Sequence, residues 1–364
     1  MKMKFTAITV IALLFACLCR GQLTGDDVKT ARDANSFPSQ VLVEVSRQVT
    51  TIRGPNYKQL AGLRETFPKM FEPSKFIVAG SGTIIDKRWI LTAAHLFNTN
   101  EYKKTVPDGY PPLAGKEVLC LYKVTAVRVM IGQSDRESAS GYTHLVEHVR
   151  IHKDYIPNNW GTGLGSDIAL IQLRKPLRYQ DRKNMLLPTF NPTPEMGMDC
   201  KIVGWGLTNG GKLPRFLKWS ETRIVDKTQS EYQRFFDWVY PSNTYSADLL
   251  AVGEPHRHIA GNERYTRAGT RAGDSGGGLL CNEPTRRGRE YVFGVCHGGH
   301  GGDFSLSGTL GIPSLFTNVY HHLEWIREEM TKPAPEGSHE DNFISSYPER
   351  YNPENPAKSG DWRL

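Results

Sequence analysis

The chain has 364 residues, 39% of them hydrophobic and 23% charged, with 35 Gly and 22 Pro. This is the balance of a globular protein of one large or two small domains, and so many turn-forming residues argue for short strands and against long helices. The formal net charge of +7 is scattered, with one short cluster at Arg286, Arg287 and Arg289, so a solvated basic surface is favoured over a dedicated site for glycans or anionic membranes.

Residues 1–21 read as a secretory signal. Lys2 and Lys4 precede an uncharged apolar run over 5–19, and Arg20 and Gly21 end it. The run is short for a membrane span and no later stretch reaches its length, so no span is expected; an N-terminal anchor is the weaker alternative. Cleavage near residues 19–21 would remove Cys17 and Cys19 and leave Cys120, Cys200, Cys281 and Cys296. Four cysteines in an exported chain suggest disulfides and allow three pairings. Asn191-Pro192-Thr193 is a glycosylation sequon blocked by its proline, and no open sequon occurs.

Residues 22–36 are polar and read as irregular. Val41, Val43 and Val45 then alternate with Leu42, Glu44 and Ser46, a strand pattern. Residues 53–74 look like an exposed insertion and 98–116, with Pro107, Gly109, Pro111 and Pro112, like a second loop. Strand-like runs occupy 76–85, 88–91, 118–131, 145–151, 168–173, 200–204, 217–225, 248–252, 278–281, 291–296 and 314–319. Short strands between turn signals predict an all-β sandwich or barrel. Near the end, Val319, Leu323, Ile326 and Met330 recur at helical spacing, with Glu324 and Glu328 opposite and Pro333 as the stop. Residues 331–364 have few large aliphatics and read as a disordered tail.

Three segments carry chemistry: Leu91-Thr92-Ala93-Ala94-His95, Ser166-Asp167-Ile168-Ala169-Leu170 and Gly273-Asp274-Ser275-Gly276-Gly277. Each alone could be structural; together, in the order His, Asp, Ser, they match one triad lineage. Over about residues 37–330 the chain resembles the chymotrypsin/trypsin-like serine proteases. The resemblance extends to Phe37-Pro38-Ser39-Gln40-Val41, to Trp89-Ile90-Leu91 before the histidine, to Cys200-Lys201-Ile202-Val203-Gly204-Trp205-Gly206 and to Thr317-Asn318-Val319 before a C-terminal helix.

The resemblance implies an all-β fold of two antiparallel six-stranded barrels with a C-terminal helix and a cleft between the barrels. It implies a protease domain over 22–330. Ser275 would attack a carbonyl, His95 would take its proton and deliver it to the leaving amine, and Asp167 would hold the imidazole. The N–H groups of Gly273 and Ser275 would form the oxyanion hole. The resemblance also implies a Cys200–Cys281 disulfide, protein or peptide substrates, protein protease inhibitors as a further partner class, and no cofactor, metal or nucleic acid.

The chain departs from the family in several places. A disulfide usual beside the histidine is replaced by Gly80 and Leu96 together, another half-cystine by Arg271 and another by Ala251. Whether Cys120 and Cys296 are bonded stays open. The expected pocket residues are Gly269 at the base, where trypsin-like enzymes carry Asp, then Cys296, His297 and Gly298 in place of Ser-Trp-Gly, and Ser314 in place of Gly. On that alignment Cys296 alters the support behind Asp167 and His297 alters the pocket wall. The place of the activation end reads Asp26-Asp27-Val28-Lys29, which leaves the carboxylate of Asp274 in need of another partner, Arg271 being one option. The favoured function is a secreted serine endopeptidase that avoids Lys and Arg at the cleaved bond. The alternative is a weak or inactive homologue that serves as an extracellular binding or regulatory scaffold.

Overall fold

The computed structural model describes residues 28–33, 36–53, 68–98, 100–105, 117–137, 142–156, 166–178, 187, 194–207, 212–225, 248–253, 269–282, 290–298 and 314–335. The expected signal at 1–21, the arginine cluster at 286–289 and the tail beyond 335 lie outside them.

The strands in chain order are β1 (Lys29–Thr30), β2 (Gln40–Arg53), β3 (Ile77–Asp86), β4 (Trp89–Thr92), β5 (Asn100–Thr105), β6 (Glu117–Ile131), β7 (Tyr142–Ile151) and β8 (Ala169–Leu173). They continue as β9 (Asp199–Gly204), β10 (Lys218–Val225), β11 (Leu249–Gly253), β12 (Gly278–Asn282), β13 (Glu290–Gly298) and β14 (Ser314–Asn318). The first barrel runs β2-β3-β4-β8-β7-β6, and β2 pairs back with β6 to close it. The second runs β9-β10-β11-β14-β13-β12, closed by β12 on β9. These are two closed six-stranded antiparallel barrels, as the resemblance implies. Closure removes the exposed sheet edges that a set of short strands would otherwise present.

Two strands lie outside this ring count, and both correct the sequence reading. β5 falls in the stretch read as a loop. It has no apolar alternation, and it forms because β6 is 15 residues long and overruns the barrel, offering an edge on which Asn100 pairs with Tyr122 and Thr105 with Glu117. β1, in the stretch read as irregular, adds to β10 with Lys29 opposite Trp219. The Lys29 ammonium lies 4.5 Å from that indole and 2.9 Å from Glu221.

The largest apolar cluster fills the first barrel and crosses the seam to Trp205, Leu280 and Val295, and a separate cluster around Phe293 and Phe316 fills the second barrel. Val41, Leu42, Val43 and Val45 are all buried, so β2 is covered on both faces rather than half-exposed. Trp205 is fully buried at the seam, with its indole N–H donating to the carbonyl of Ser134 at 3.3 Å. Cys200 on β9 and Cys281 on β12 stand opposite in register and form a disulfide. Cys120 and Cys296 are buried in different barrels and are not bonded to each other.

The C-terminal helix, α1 (Leu323–Thr331), starts later than the sequence periodicity suggests because 319–322 form turns. Val319, Leu323 and Ile326 are buried and Glu324 and Glu328 exposed, as the periodicity requires. It ends at Lys332, whose extended backbone is what a residue before proline adopts. The helix packs near a group of histidines: His152 stacks edge-on to His322 and lies beside Trp325, each with ring centroids 4.8 Å apart. His148 on β7 is buried, and neither ring nitrogen has a hydrogen-bond partner among the described residues.

Buried Arg150 on β7 fastens the helix end to the first barrel. It pairs with Glu329 at 3.2 Å and donates to the carbonyls of Lys332 at 2.9 Å and Pro333 at 2.8 Å. The start of the stretch read as a tail is therefore docked. The guanidinium also offsets an acid placed near a helix C-terminus, where it is disfavoured. Arg150→Met should lower unfolding free energy by about 1–3 kcal/mol, because the carbonyls of Lys332 and Pro333 lose their donor and Glu329 keeps only Lys332, 2.7 Å away, and hydrogen exchange over 323–332 should rise first. Replacing Cys200 and Cys281 together by Ala should cost about 2–5 kcal/mol, read from the urea midpoint under non-reducing conditions.

Candidate active site

The three motif residues arrive at the seam from different elements. β4 ends at Thr92, and a single 3-10 turn, Ala94–Phe97, follows. Ala94, Leu96 and Phe97 turn into the core, which leaves His95 as the turn's outward residue, its side chain 27% exposed. Asp167 precedes β8 in a tight turn where the N–H of Ile168 donates to the carbonyl of Ser166 at 2.7 Å. Ser166 has φ of 65°, a left-handed conformation costly for a residue with a Cβ, so neighbouring contacts must hold it there.

Those contacts converge on Asp167, which is 1% exposed. Its Oδ1 accepts the backbone N–H of His95 at 2.9 Å, and its Oδ2 accepts the Nδ1–H of the same histidine at 2.7 Å. From the second barrel, Thr317 donates its hydroxyl to the Asp167 carbonyl at 3.0 Å, and His297 donates Nδ1–H to Oδ2. Burial alone would raise the Asp167 pKa, but the two imidazoles hold the carboxyl well below the usual carboxylate range. Among the described residues, His95, Asp167 and His297 are the group whose atoms could ligate a metal, all within 4.8 Å of one another. Oδ2 already takes two imidazole protons that an ion would have to displace, so the chemistry of the set is that of a hydrogen-bonded carboxylate between two imidazoles.

Ser275 sits in a turn laced to its surroundings. Its carbonyl accepts the N–H of Ser81 at 2.7 Å, Gly276 donates to Cys296 at 2.7 Å, and Gly277 donates to Asp274 at 2.9 Å. Gly80 shows why the neighbouring staple is absent: a Cβ there would lie 2.3 Å from the Ser275 carbonyl and 2.9 Å from a Leu96 methyl. The two positions without cysteines do meet, and Leu96 fills the room between them. The turn itself closes through Asp274 N–H on the Arg271 carbonyl at 2.8 Å, with Gly273 at φ of 99°. The carbonyl of Ala272 accepts from Leu207 at 2.8 Å. Because that peptide is planar and trans, the N–H of Gly273 points the opposite way. Among the described residues neither this N–H nor that of Ser275 donates a hydrogen bond.

The carboxylate of Asp274 is 2% exposed, and among the described residues its hydrogen bonds come from backbone, Oδ1 accepting from Gly206 at 2.7 Å and Oδ2 from the main-chain N–H of Arg271 at 2.9 Å. Arg271 is thus a hydrogen-bond partner through its peptide, and its guanidinium charge adds a weaker pull in the same direction. Burial pushes the Asp274 pKa up to about 6 despite those two bonds.

Two expected pocket residues are corrected. Cys296 is 1% exposed and packs inside the second barrel with Phe293 and Phe316. The support comes from His297. A register slip between Cys296 and Gly298, which pair with Phe316 and Leu315, puts His297 in a bulge aimed at the first barrel. Strand alternation carried this signal: with Cys296 facing inward, its neighbour must face away. Gly298 follows the bulge in the ladder with β14. Gly269 is buried, and the Ser314 hydroxyl, 2% exposed, accepts the N–H of Thr270 at 3.0 Å. Sequence reasoning also missed Thr317 and Ser166, whose roles lie in backbone contacts.

The family model for Trypsin matches residues 119–326, more than half of the chain. The chain belongs to the trypsin family. Among its trypsin-family relatives, the human atrial natriuretic peptide-converting enzyme is 27% identical over 251 residues, 68% of this chain and 20% of that protein. Mouse serine protease 56 is 27% identical over 253 residues, 69% of this chain and 34% of that protein. Ovochymase of Halocynthia roretzi is 25% identical over 252 residues, 67% of this chain and 13% of that protein. The chain therefore spans about a third or less of the length of these relatives. The solved structure of neuropsin, a serine protease expressed in the limbic system of mouse brain, has the same fold, with a TM-score of 0.54 and 19% identity over 84% of this chain and 99% of that one.

The perturbed buried groups set the pH response. His148 and His322 are held near pKa 4, in both cases chiefly by burial, with Arg150 adding to it at His148 and His152 at His322. Groups depressed from 6.5 contribute stability above that pH and lose it as pH falls toward 4. Asp274, raised above 3.8, acts the other way and gains stability as pH falls through 6. Each group changes stability by at most about 1.4 kcal/mol per pH unit, and two histidines outweigh one carboxyl, so the urea midpoint should fall from pH 6.5 to 4.5. In Asp274→Asn the opposing contribution is gone and the fall should be steeper.

Proposed function

We propose that the protein is an exported serine endopeptidase in which His95, Asp167 and Ser275 form the catalytic triad. The observation that carries the reading is the pair of hydrogen bonds by which buried Asp167 fixes His95, at 2.9 and 2.7 Å, beside the turn bearing Ser275. Holding Nδ1–H on the carboxylate leaves Nε2 of His95 as the acceptor for the serine proton. Ser275 then attacks the substrate carbonyl, the oxyanion is met by the N–H groups of Gly273 and Ser275, and His95 returns the proton to the departing amine. Water repeats the sequence on the acyl-enzyme. Export is supported by the signal-like run at 1–21 and by the Cys200–Cys281 disulfide, a bond of oxidising compartments.

Substrates are proteins or peptides, with small or medium apolar side chains before the cleaved bond. Gly269 offers no acid at the expected pocket base, and Ser314 narrows it while spending its hydroxyl on Thr270. A Lys or Arg there would lose hydration without a counter-charge. Protein protease inhibitors shaped like such substrates are a further partner class. Asp274 has two backbone donors, so the chain cut only after the signal is taken as competent.

Purified mature protein should form a fluorophosphonate adduct at Ser275, located by peptide mass spectrometry, and Ser275→Ala should abolish it. A folded wild type that takes no label would favour the scaffold alternative. Peptide-library profiling should return apolar residues; dominant Arg or Lys would mean that another acid reaches the pocket.

A further inference from the structure

On the protease reading, Asp167 needs one histidine; it has two. His297 is 6% exposed, stands edge-on to His95 with ring centroids 5.7 Å apart, and shares Oδ2 with it. The two bonds from His95 tie Asp167 only to the residue that it must orient, so by themselves they would let the pair swing together. Thr317 fixes the Asp167 backbone but not its carboxylate. Among the described residues, His297 is the second-barrel side chain that reaches a carboxylate oxygen. It gets there through a bulge, a device that sacrifices ladder pairing to re-aim one residue and is common beside active sites.

We propose that His297 is a positioning residue of the triad, anchoring the Asp167 carboxylate to the barrel that carries Ser275. The histidine and serine halves of the site are then held in register by one shared oxygen. Loss of the anchor loosens the His95 orientation without touching the substrate subsites, so it acts on turnover and not on binding.

The test uses the full mature chain and three variants, His297→Ala, His297→Asn and His297→Ser. His297→Ala should lower kcat on a peptide substrate about 10- to 100-fold with KM nearly unchanged, the order expected for misplacement of a catalytic group by a fraction of an ångström to an ångström. His297→Asn, which keeps a donor, should recover most of that loss, and Ser, with a shorter reach, less. Proton NMR of the wild type should show two strongly deshielded imidazole N–H signals, and His297→Ala should lack one. Unchanged kcat in a folded His297→Ala, or persistence of both signals, overturns the proposal. Should the variants fail to fold, a single deshielded signal in the wild type overturns it as well. A wild type that takes no fluorophosphonate label sinks the protease reading instead, and the NMR comparison then decides the role of His297 alone.

Discussion

An ionised carboxylate taken out of water is costly unless every oxygen finds a donor, and the centre of this protein is built around that constraint at Asp167. The residue comes from the first barrel and is 1% exposed. His95, from the same barrel, supplies two donors to the carboxylate and His297, from the second, a third, while Thr317 of the second barrel holds the main-chain carbonyl. The barrels are therefore joined at the seam by a buried charge as well as by apolar packing, and the geometry of the site and the cohesion of the two halves depend on the same group.

Asp274, another buried carboxylate, shows what happens when the donors are weaker. Asp274 lies seven residues before Cys281 in the turn that carries Ser275, and two peptide N–H groups meet it. Two imidazoles drive one carboxyl below its ordinary range, while two peptide dipoles fail to offset burial and leave the other near 6. One acid is thus kept charged where charge orients a histidine. The other takes up a proton at a higher pH than an ordinary carboxylate, inside the turn whose shape turns the Gly273 N–H outward. This division follows from environment alone, since both residues are Asp.

Much of the fold was legible in the chain. All twelve barrel strands coincide with runs of alternating or apolar residues, and the helix follows the spacing of Leu323 and Ile326. What was not legible has a physical cause in each case. β5 and β1 are polar strands that form on edges supplied by β6 and β10, and an edge is a property of the partner, not of the strand that joins it. Alternation puts His297 opposite in facing to Cys296, but that it reaches Asp167 depends on a bulge, which leaves the composition of the strand unchanged.

The sequence by itself determined the residue types at the site, their order along the chain and the alternation that builds the strands, because these depend on local chemistry and on a period of two. It also put Cys200 and Cys281 forward as a pair through the family resemblance. Only the tertiary structure decided which donors meet each buried carboxylate, that Leu96 packs where a staple might stand, and that His297 supports Asp167. Those outcomes depend on register and on contacts between residues far apart in the chain, and a shift of one residue in a strand reverses the face that every side chain presents.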